Sequence, residues 1–390
     1  MSSLQKNVLK HNLPRMGLPP SGASLSGRSG RSAGRGRQRD FTPLHWSNYF
    51  DQSKDIIVNE ENDAFRVYFK GNEGPLIVFL HGGGFSGLTW ALLSVHLHEI
   101  VHCQIMAIDL RGHGSSKTSQ SNNLDIETLA RDVVAVVNAA FGDDIPPIVL
   151  VGHSMGGAIA VQTTLLEELP IMGLVVIDVV EGSAMEALAS MQSFLRSRPK
   201  SFGSVSSAIE WSLKSGQVRN LESARVSMPG QLKNSETDLC ASDEVGSLAL
   251  NPGPTNEIPQ GEVIREEDED QAEFKQPVLQ VVQTASSAYV WRIDLTQTEK
   301  FWQGWFEKLS SKFLGAKAAK LLLLAGIDRL DRDLTVGQMQ GKFQMQVLPE
   351  CGHAVHEDVP DKVAEVLGTF LLRNKLSTAK GEFQRVFPAC

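Results

Sequence analysis

Gly152-His153-Ser154-Met155-Gly156 follows the apolar run Pro147-Ile148-Val149-Leu150-Val151 and leads into Gly157-Ala158-Ile159-Ala160-Val161. A buried strand, a tight turn with glycine on both sides of a serine, and then a helix is the setting in which G-x-S-x-G forms a nucleophile elbow. The turn forces the serine into a strained backbone conformation, and the flanking glycines leave room for it. The hydroxyl is then held above the edge of a sheet, at the start of a helix whose dipole favours developing negative charge. Ser154 is the candidate nucleophile.

Working outward, Leu76-Ile77-Val78-Phe79-Leu80 is a continuous apolar run, the mark of a strand covered on both faces. Further strands are expected at 103–108, 147–151 and 173–177, with helices around 88–100, 124–141 and after Ser154. An opening hairpin is expected over 56–58 and 64–69. Strand and helix in alternation mean a mostly parallel sheet with helices on both faces. The alternation breaks after Asp178 and resumes with Lys320-Leu321-Leu322-Leu323-Leu324, the strand at 343–348 and a closing helix over 360–374. A helical cap, 184–310, is expected in the gap. Within it 235–289 loses periodicity and carries Glu266-Glu267-Asp268-Glu269-Asp270, so it is expected to be a disordered acidic loop. Residues 1–40 are rich in Ser, Gly, Pro and Arg and are expected to be a disordered tail, separate from a domain over 41–390.

The net charge of -8 over 390 residues argues against nucleic acid or an anionic membrane as the main partner. No apolar run is long enough to span a bilayer. The four cysteines are scattered without a C-x-x-C pair, which argues against a metal site and suits reduced thiols. The expected compartment is the cytoplasm, with Arg35-Gly36-Arg37-Gln38-Arg39 as a candidate nuclear address.

A nucleophilic serine needs a base, an acid to orient the base, and donors for the oxyanion. His353 follows the last expected strand and is preferred to His356, which stands at the start of the closing helical region. His153, inside the elbow, is expected to point away from the serine and to serve packing or hydrogen bonding. The oxyanion donors are expected from the backbone of Met155 and of Gly82 and Gly83, in His81-Gly82-Gly83-Gly84. Asp109-Leu110-Arg111-Gly112-His113-Gly114 reads as a structural turn. The acid is open between Asp178 and Asp328, each just beyond a core strand, and strand position alone puts Asp328 slightly ahead. The order Ser, acid, His is that of the α/β hydrolases, which is the fold expected here.

Val151-Gly-His-Ser-Met-Gly-Gly-Ala-Ile-Ala, Ile177-Asp-Val-Val-Glu-Gly, Ala224-Arg-Val-Ser-Met, Gly337-Gln-Met-Gln-Gly-Lys-Phe-Gln-Met-Gln-Val and Cys351-Gly-His-Ala-Val-His-Glu-Asp together resemble the protein phosphatase methylesterases over about 40–235 and 290–388. The resemblance implies hydrolysis of the methyl ester on the C-terminal leucine of the type-2A protein phosphatase catalytic subunit. It implies a triad of Ser154, Asp178 and His353, and on that ground Asp178 is preferred to Asp328. It implies no cofactor, a monomer, and the phosphatase catalytic subunit as partner, with its regulatory subunits as further candidates. The chain departs from the family at Pro229, in its shorter acidic run and in Pro277-Val278-Leu279-Gln280-Val281-Val282-Gln283. The competing readings are another α/β hydrolase of a small ester and a phosphatase-binding protein without catalysis. Cap residues Trp211, Arg219 and Arg225 are expected beside the mouth of the serine pocket.

Overall fold

Every side chain of Leu76-Ile77-Val78-Phe79-Leu80 is buried, because this strand lies inside a sheet that is covered on both faces. The computed structural model describes residues 39–59, 62–250, 289–326 and 330–383. Along the chain the strands are β1 (Gln52–Ile57), β2 (Ala64–Lys70), β3 (Leu76–Leu80), β4 (Gln104–Ile108), β5 (Ile148–His153), β6 (Ile171–Ile177), β7 (Ser201–Phe202), β8 (Leu232–Asn234), β9 (Tyr289–Trp291), β10 (Ala319–Leu324) and β11 (Gln344–Val347). Among the described residues eight of them form the main sheet, in the order β1-β2-β4-β3-β5-β6-β10-β11. The pairs β1–β2 and β2–β4 are antiparallel, and all the others are parallel. The α/β architecture expected from the alternating pattern is the one observed.

The two faces divide the side chains with the period of two that a strand imposes. Val78, Leu80, Leu150 and Val176 pack with α2 (Ile126–Phe141) and α3 (Met155–Leu166). Ile77, Phe79, Val151 and Val175 pack with α1 (Ala91–Ile100) and the closing helix Pro360–Arg373. Local signals set the helix ends. The Asp125 carboxylate accepts from the Glu127 amide at 3.0 Å to begin α2, and Gly142, at φ 59°, ends it. Strands β3, β4, β5 and β6 run parallel, so the loops that leave their C-terminal ends gather on one side of the sheet, where open α/β sheets place ligands.

Between β6 and β10 lies the cap, which starts with the helix Glu181–Ser197, three residues earlier than expected. Two further parts of it were not legible in the sequence. Strands β7, β9 and β8 form a small antiparallel sheet, each strand too short to show a period. The expected loop over 235–289 is also corrected: Ala241–Leu250 is a helix. Remote partners help to hold it, and Ala241 is buried in the cap's hydrophobic cluster. Asp243 takes the Arg66 guanidinium at 2.8 Å, and Glu244 accepts from Tyr289 Oη at 2.8 Å and from Asn234 Nδ2 at 2.8 Å. The acidic run, residues 277–283 and almost all of the expected tail lie outside the described residues. No helix among the described residues is long and apolar enough to cross a membrane.

Candidate active site

Ser154 occupies the tight turn between β5 and α3 with φ 53° and ψ −120°, a region that L-residues rarely adopt. The flanking glycines are required by close approach. A Cβ on Gly152 would overlap the Gly156 carbonyl oxygen, and one on Gly156 would overlap that of Leu80. The Ser154 amide donates to Ile177 O at 3.0 Å, tying the elbow to the end of β6.

Asp178 follows directly on β6. It too has a positive φ, 53°, and its amide donates to Leu323 O of β10 at 2.8 Å. The buried carboxylate is held at both oxygens: Oδ1 accepts from the Ala325 amide at 2.9 Å, and Oδ2 from His353 Nδ1 at 2.8 Å. His353, in the loop after β11, is exposed. Of the two acids that the residues left open, Asp178 is the one bonded to His353; Asp328 lies outside the described residues. His153 takes up the hydrogen-bonding role expected of it. Its Nε2 donates to the carbonyl oxygen of His353 at 2.9 Å, and the two rings lie 4.7 Å apart, so the elbow itself holds the loop that carries His353. Burial first, then the neighbouring His356 and His353, hold the pKa of His153 well below the usual imidazole range, which keeps it neutral.

His356 is buried under Trp90, with ring centres 4.1 Å apart, in the short helix that precedes the closing one. Its Nε2 is 2.9 Å from Thr89 Oγ1, which in turn donates to Glu357 Oε1 at 2.5 Å. Ser227 Oγ donates to the other oxygen of Glu357 at 2.6 Å. Burial pushes the Glu357 carboxyl up to about 8 despite these two hydroxyls. This group braces the wall behind the site, joining the cap residue Ser227 to the core.

Gly82 and Gly83 face the elbow. A Cβ on Gly82 would sit 3.3 Å from Ser154 Cβ, and one on Gly83 would sit 3.8 Å from Met155 Sδ. Two buried imidazoles hold this loop. His81 Nδ1 donates to Gly82 O at 2.8 Å while Nε2 accepts from the Leu110 amide at 3.0 Å. His113 Nε2 accepts from the Gly84 amide at 2.9 Å while Nδ1 donates to Arg111 O at 2.8 Å. Each ring therefore needs one bare nitrogen and must be neutral. Burial enforces this, with His81 well below the usual range and His113 pushed down to about 4. The turn after β4, expected to be structural, is the clamp of the glycine loop. Arg111 anchors that turn in a buried, bidentate pair with Asp132, at 2.7 Å for both contacts.

Of the cap residues singled out in the sequence, Arg219 lies against the loop that carries His353, its Nε 3.5 Å from the position of a Cβ on Gly352. Arg219 binds Asp358 through its amide at 2.7 Å and Glu350 O through Nη1 at 3.1 Å; Arg225 Nε donates to Thr42 O at 2.6 Å. Trp211 packs on Phe202 and Trp291 in the cap's own core. The cap side chains that reach the glycine loop are Leu295 and Arg198, which the sequence reading missed. No motif surrounds either of them. Among the described residues no group of three or more His, Cys, Asp or Glu is set to hold a metal ion.

Comparison with known proteins agrees with this geometry. Residues 77–366 match the alpha/beta hydrolase family. Among solved structures, E-2-(acetamidomethylene)succinate hydrolase superposes with a TM-score of 0.56 at 15% identity, covering 82% of this chain and 98% of that one. A marine microorganism esterase superposes at 0.52 with 18% identity, covering 78% and 98%. These two likenesses concern the fold. Sequence relatives are far nearer. The chain is 53% identical to protein phosphatase methylesterase 1 of Mus musculus and 52% identical to that of Homo sapiens, in each case over 100% of both chains. It is 45% identical to the probable protein phosphatase methylesterase 1 of Caenorhabditis elegans, over 88% of this chain and 81% of the relative. Identity at that level, carried from end to end, makes this chain a member of the protein phosphatase methylesterase family within the α/β hydrolases.

Proposed function

We propose that the protein is a serine carboxylesterase that removes the methyl ester from the C-terminal leucine of the type-2A protein phosphatase catalytic subunit. The observation that carries this reading is the contact of 2.8 Å between His353 Nδ1 and Asp178 Oδ2, on a loop tied to the serine elbow. With Nδ1–H committed to Asp178, His353 Nε2 is left as the base. It takes the proton of Ser154 as Oγ attacks the ester carbonyl. The amides of Met155 and of the Gly82-Gly83 segment stabilise the oxyanion. His353 then protonates the departing methoxide, and methanol leaves. A water that gives its proton to the same nitrogen attacks the acyl-enzyme, releasing the leucine carboxylate and restoring Ser154. Asp178 fixes the tautomer and stabilises the imidazolium. The route uses no metal or organic cofactor.

The test is incubation of the purified protein with the methylated catalytic subunit, with methyl loss followed by mass spectrometry. Wild-type protein should remove the methyl group, and Ser154→Ala should leave it in place. Comparison of the intact subunit with its methylated C-terminal peptide measures how much recognition lies beyond the tail. An efficiency at least about 100-fold higher for the intact protein corresponds to about 2.7 kcal/mol of remote binding, within reach of a protein interface. Cleavage of generic esters alone would favour the reading as another small-ester hydrolase.

A further inference from the structure

Arg198 caps the helix Glu181–Ser197 and turns its side chain towards the glycine loop, where Nη1 lies 4.0 Å from the position that a Cβ on Gly84 would occupy. Its guanidinium carbon sits 3.5 Å from the centre of the Trp291 ring and 5.9 Å from that of Trp211. The platform is rigid. Trp291 donates from Nε1 to Pro199 O at 2.7 Å and packs edge-on against Phe202 and Trp211. Yet among the described residues no carboxylate pairs with Arg198, and its buried Nε has no hydrogen-bond partner.

That combination is unusual. Arg198 is half-buried, and a guanidinium whose Nε is withdrawn from water ordinarily has a partner there, since its five N–H donors form a fork that matches a carboxylate. Stacking on tryptophan offsets part of the desolvation but uses none of the donors. Burial lowers its pKa only to about 10, so it remains a cation at neutral pH. The loop also orders the neighbourhood. Gly82 lies against His153 and Ser154, Gly83 against Leu295 and Met155, and Gly84 against Leu295 with Arg198 Nη1 beyond it. The cation therefore stands on the cap side of the glycine loop, two residues along from the glycine that meets Ser154.

We infer that Arg198 is a specificity-determining residue that receives a carboxylate of the substrate chain outside the reacting ester. This rests on the esterase reading above. The carboxylate is that of an acidic side chain just before the C-terminal leucine. The stacked guanidinium binds it with little loss of side-chain freedom, because Trp291 already orders it.

The test uses the full-length protein and leucine methyl ester peptides that carry aspartate or asparagine at each of the three positions before the leucine. Wild-type enzyme should prefer aspartate over asparagine at one position by at least about 10-fold in kcat/KM, the scale of one charge-assisted contact. Arg198→Gln should bring that ratio to within about two-fold of unity, and Arg198→Lys should keep part of it. Wild-type enzyme without this preference overturns the proposal, even if Arg198→Gln fails to fold. So does an Arg198→Gln enzyme that retains the preference. Failure of the esterase reading itself would look different: no peptide ester would be cleaved, or Ser154→Ala would still cleave them.

Discussion

Ser154 and Ile177 are joined by a backbone hydrogen bond of 3.0 Å, from the serine amide to the carbonyl that immediately precedes Asp178. The elbow and the acid are therefore placed by the same sheet edge, and each is held at positive φ by the chain on either side of it.

Two inactive variants should differ in stability. Ser154→Ala and Ser154→Gly both remove the attacking oxygen, and either should leave less than about a thousandth of wild-type turnover. Glycine also relieves the strain of φ 53°, which costs a non-glycine residue about 1 kcal/mol or more. Thermal melts should place Ser154→Gly about 2 °C above Ser154→Ala. Equal melting temperatures would mean that the turn relaxes when the hydroxyl is lost.

Asp178→Asn should lower kcat by about 10⁴ while the protein stays folded. The new amide oxygen is expected to keep the bond from Ala325 N, now 2.9 Å from Oδ1. Its NH2 then faces His353 Nδ1 and moves the ring proton to Nε2, where it blocks base action. A loss larger in Asp328→Asn than in Asp178→Asn would reassign the acid.

His113→Phe keeps the ring volume but removes the acceptor that holds the Gly84 amide at 2.9 Å. An unpaired buried amide costs about 1–3 kcal/mol, and the glycine loop should shift to find another partner. The expected result is a fall in kcat of about 10-fold or more on a small activated ester, with KM less affected. Unchanged kcat would show that the loop keeps its place without the clamp.

Glu357→Gln should matter only at higher pH. The folded carboxyl titrates at about 8 against an ordinary value of 4.5. Below 4.5 both folded and unfolded states hold the proton. As pH rises the unfolded chain releases it first, so wild-type stability falls until the folded group ionises as well, by about 5 kcal/mol at most. Glutamine cannot ionise. The melting temperature of Glu357→Gln minus that of wild type should therefore climb between pH 5 and pH 8. A flat difference would mean that the carboxyl is charged throughout.

The elbow was legible because everything that defines it is local: an apolar strand, two glycines and a helix start within a few residues. His353 was legible for a similar reason, as it follows the last core strand. The acid was not. Asp178 and Asp328 both lie just past core strands, and Ile177 pairs directly with Leu323, so the two strand ends are neighbours and strand position cannot separate them. Only the family resemblance favoured Asp178, the residue found against His353. The clamp roles of His81 and His113 depend on contacts between two loops and leave no periodic trace. Arg198 was hidden in the same way, since its partner Trp291 enters from the far end of the cap. The helix Ala241–Leu250 has Arg66, Asn234 and Tyr289 among its partners, contacts from distant parts of the chain that leave no local trace.

The pairing of β6 with β10 also bears on how the protein is made. Every residue of the cap is synthesised after β6 and before the strand that completes it. Until residues 319–324 emerge from the ribosome, the apolar β6 is an unpaired edge of the growing sheet. The nascent chain must carry that exposed strand through the whole length of the cap, and closing so distant a contact is slow. A message truncated anywhere within the cap would thus yield a product that is both inactive and prone to aggregate, because its sheet ends on an open hydrophobic edge.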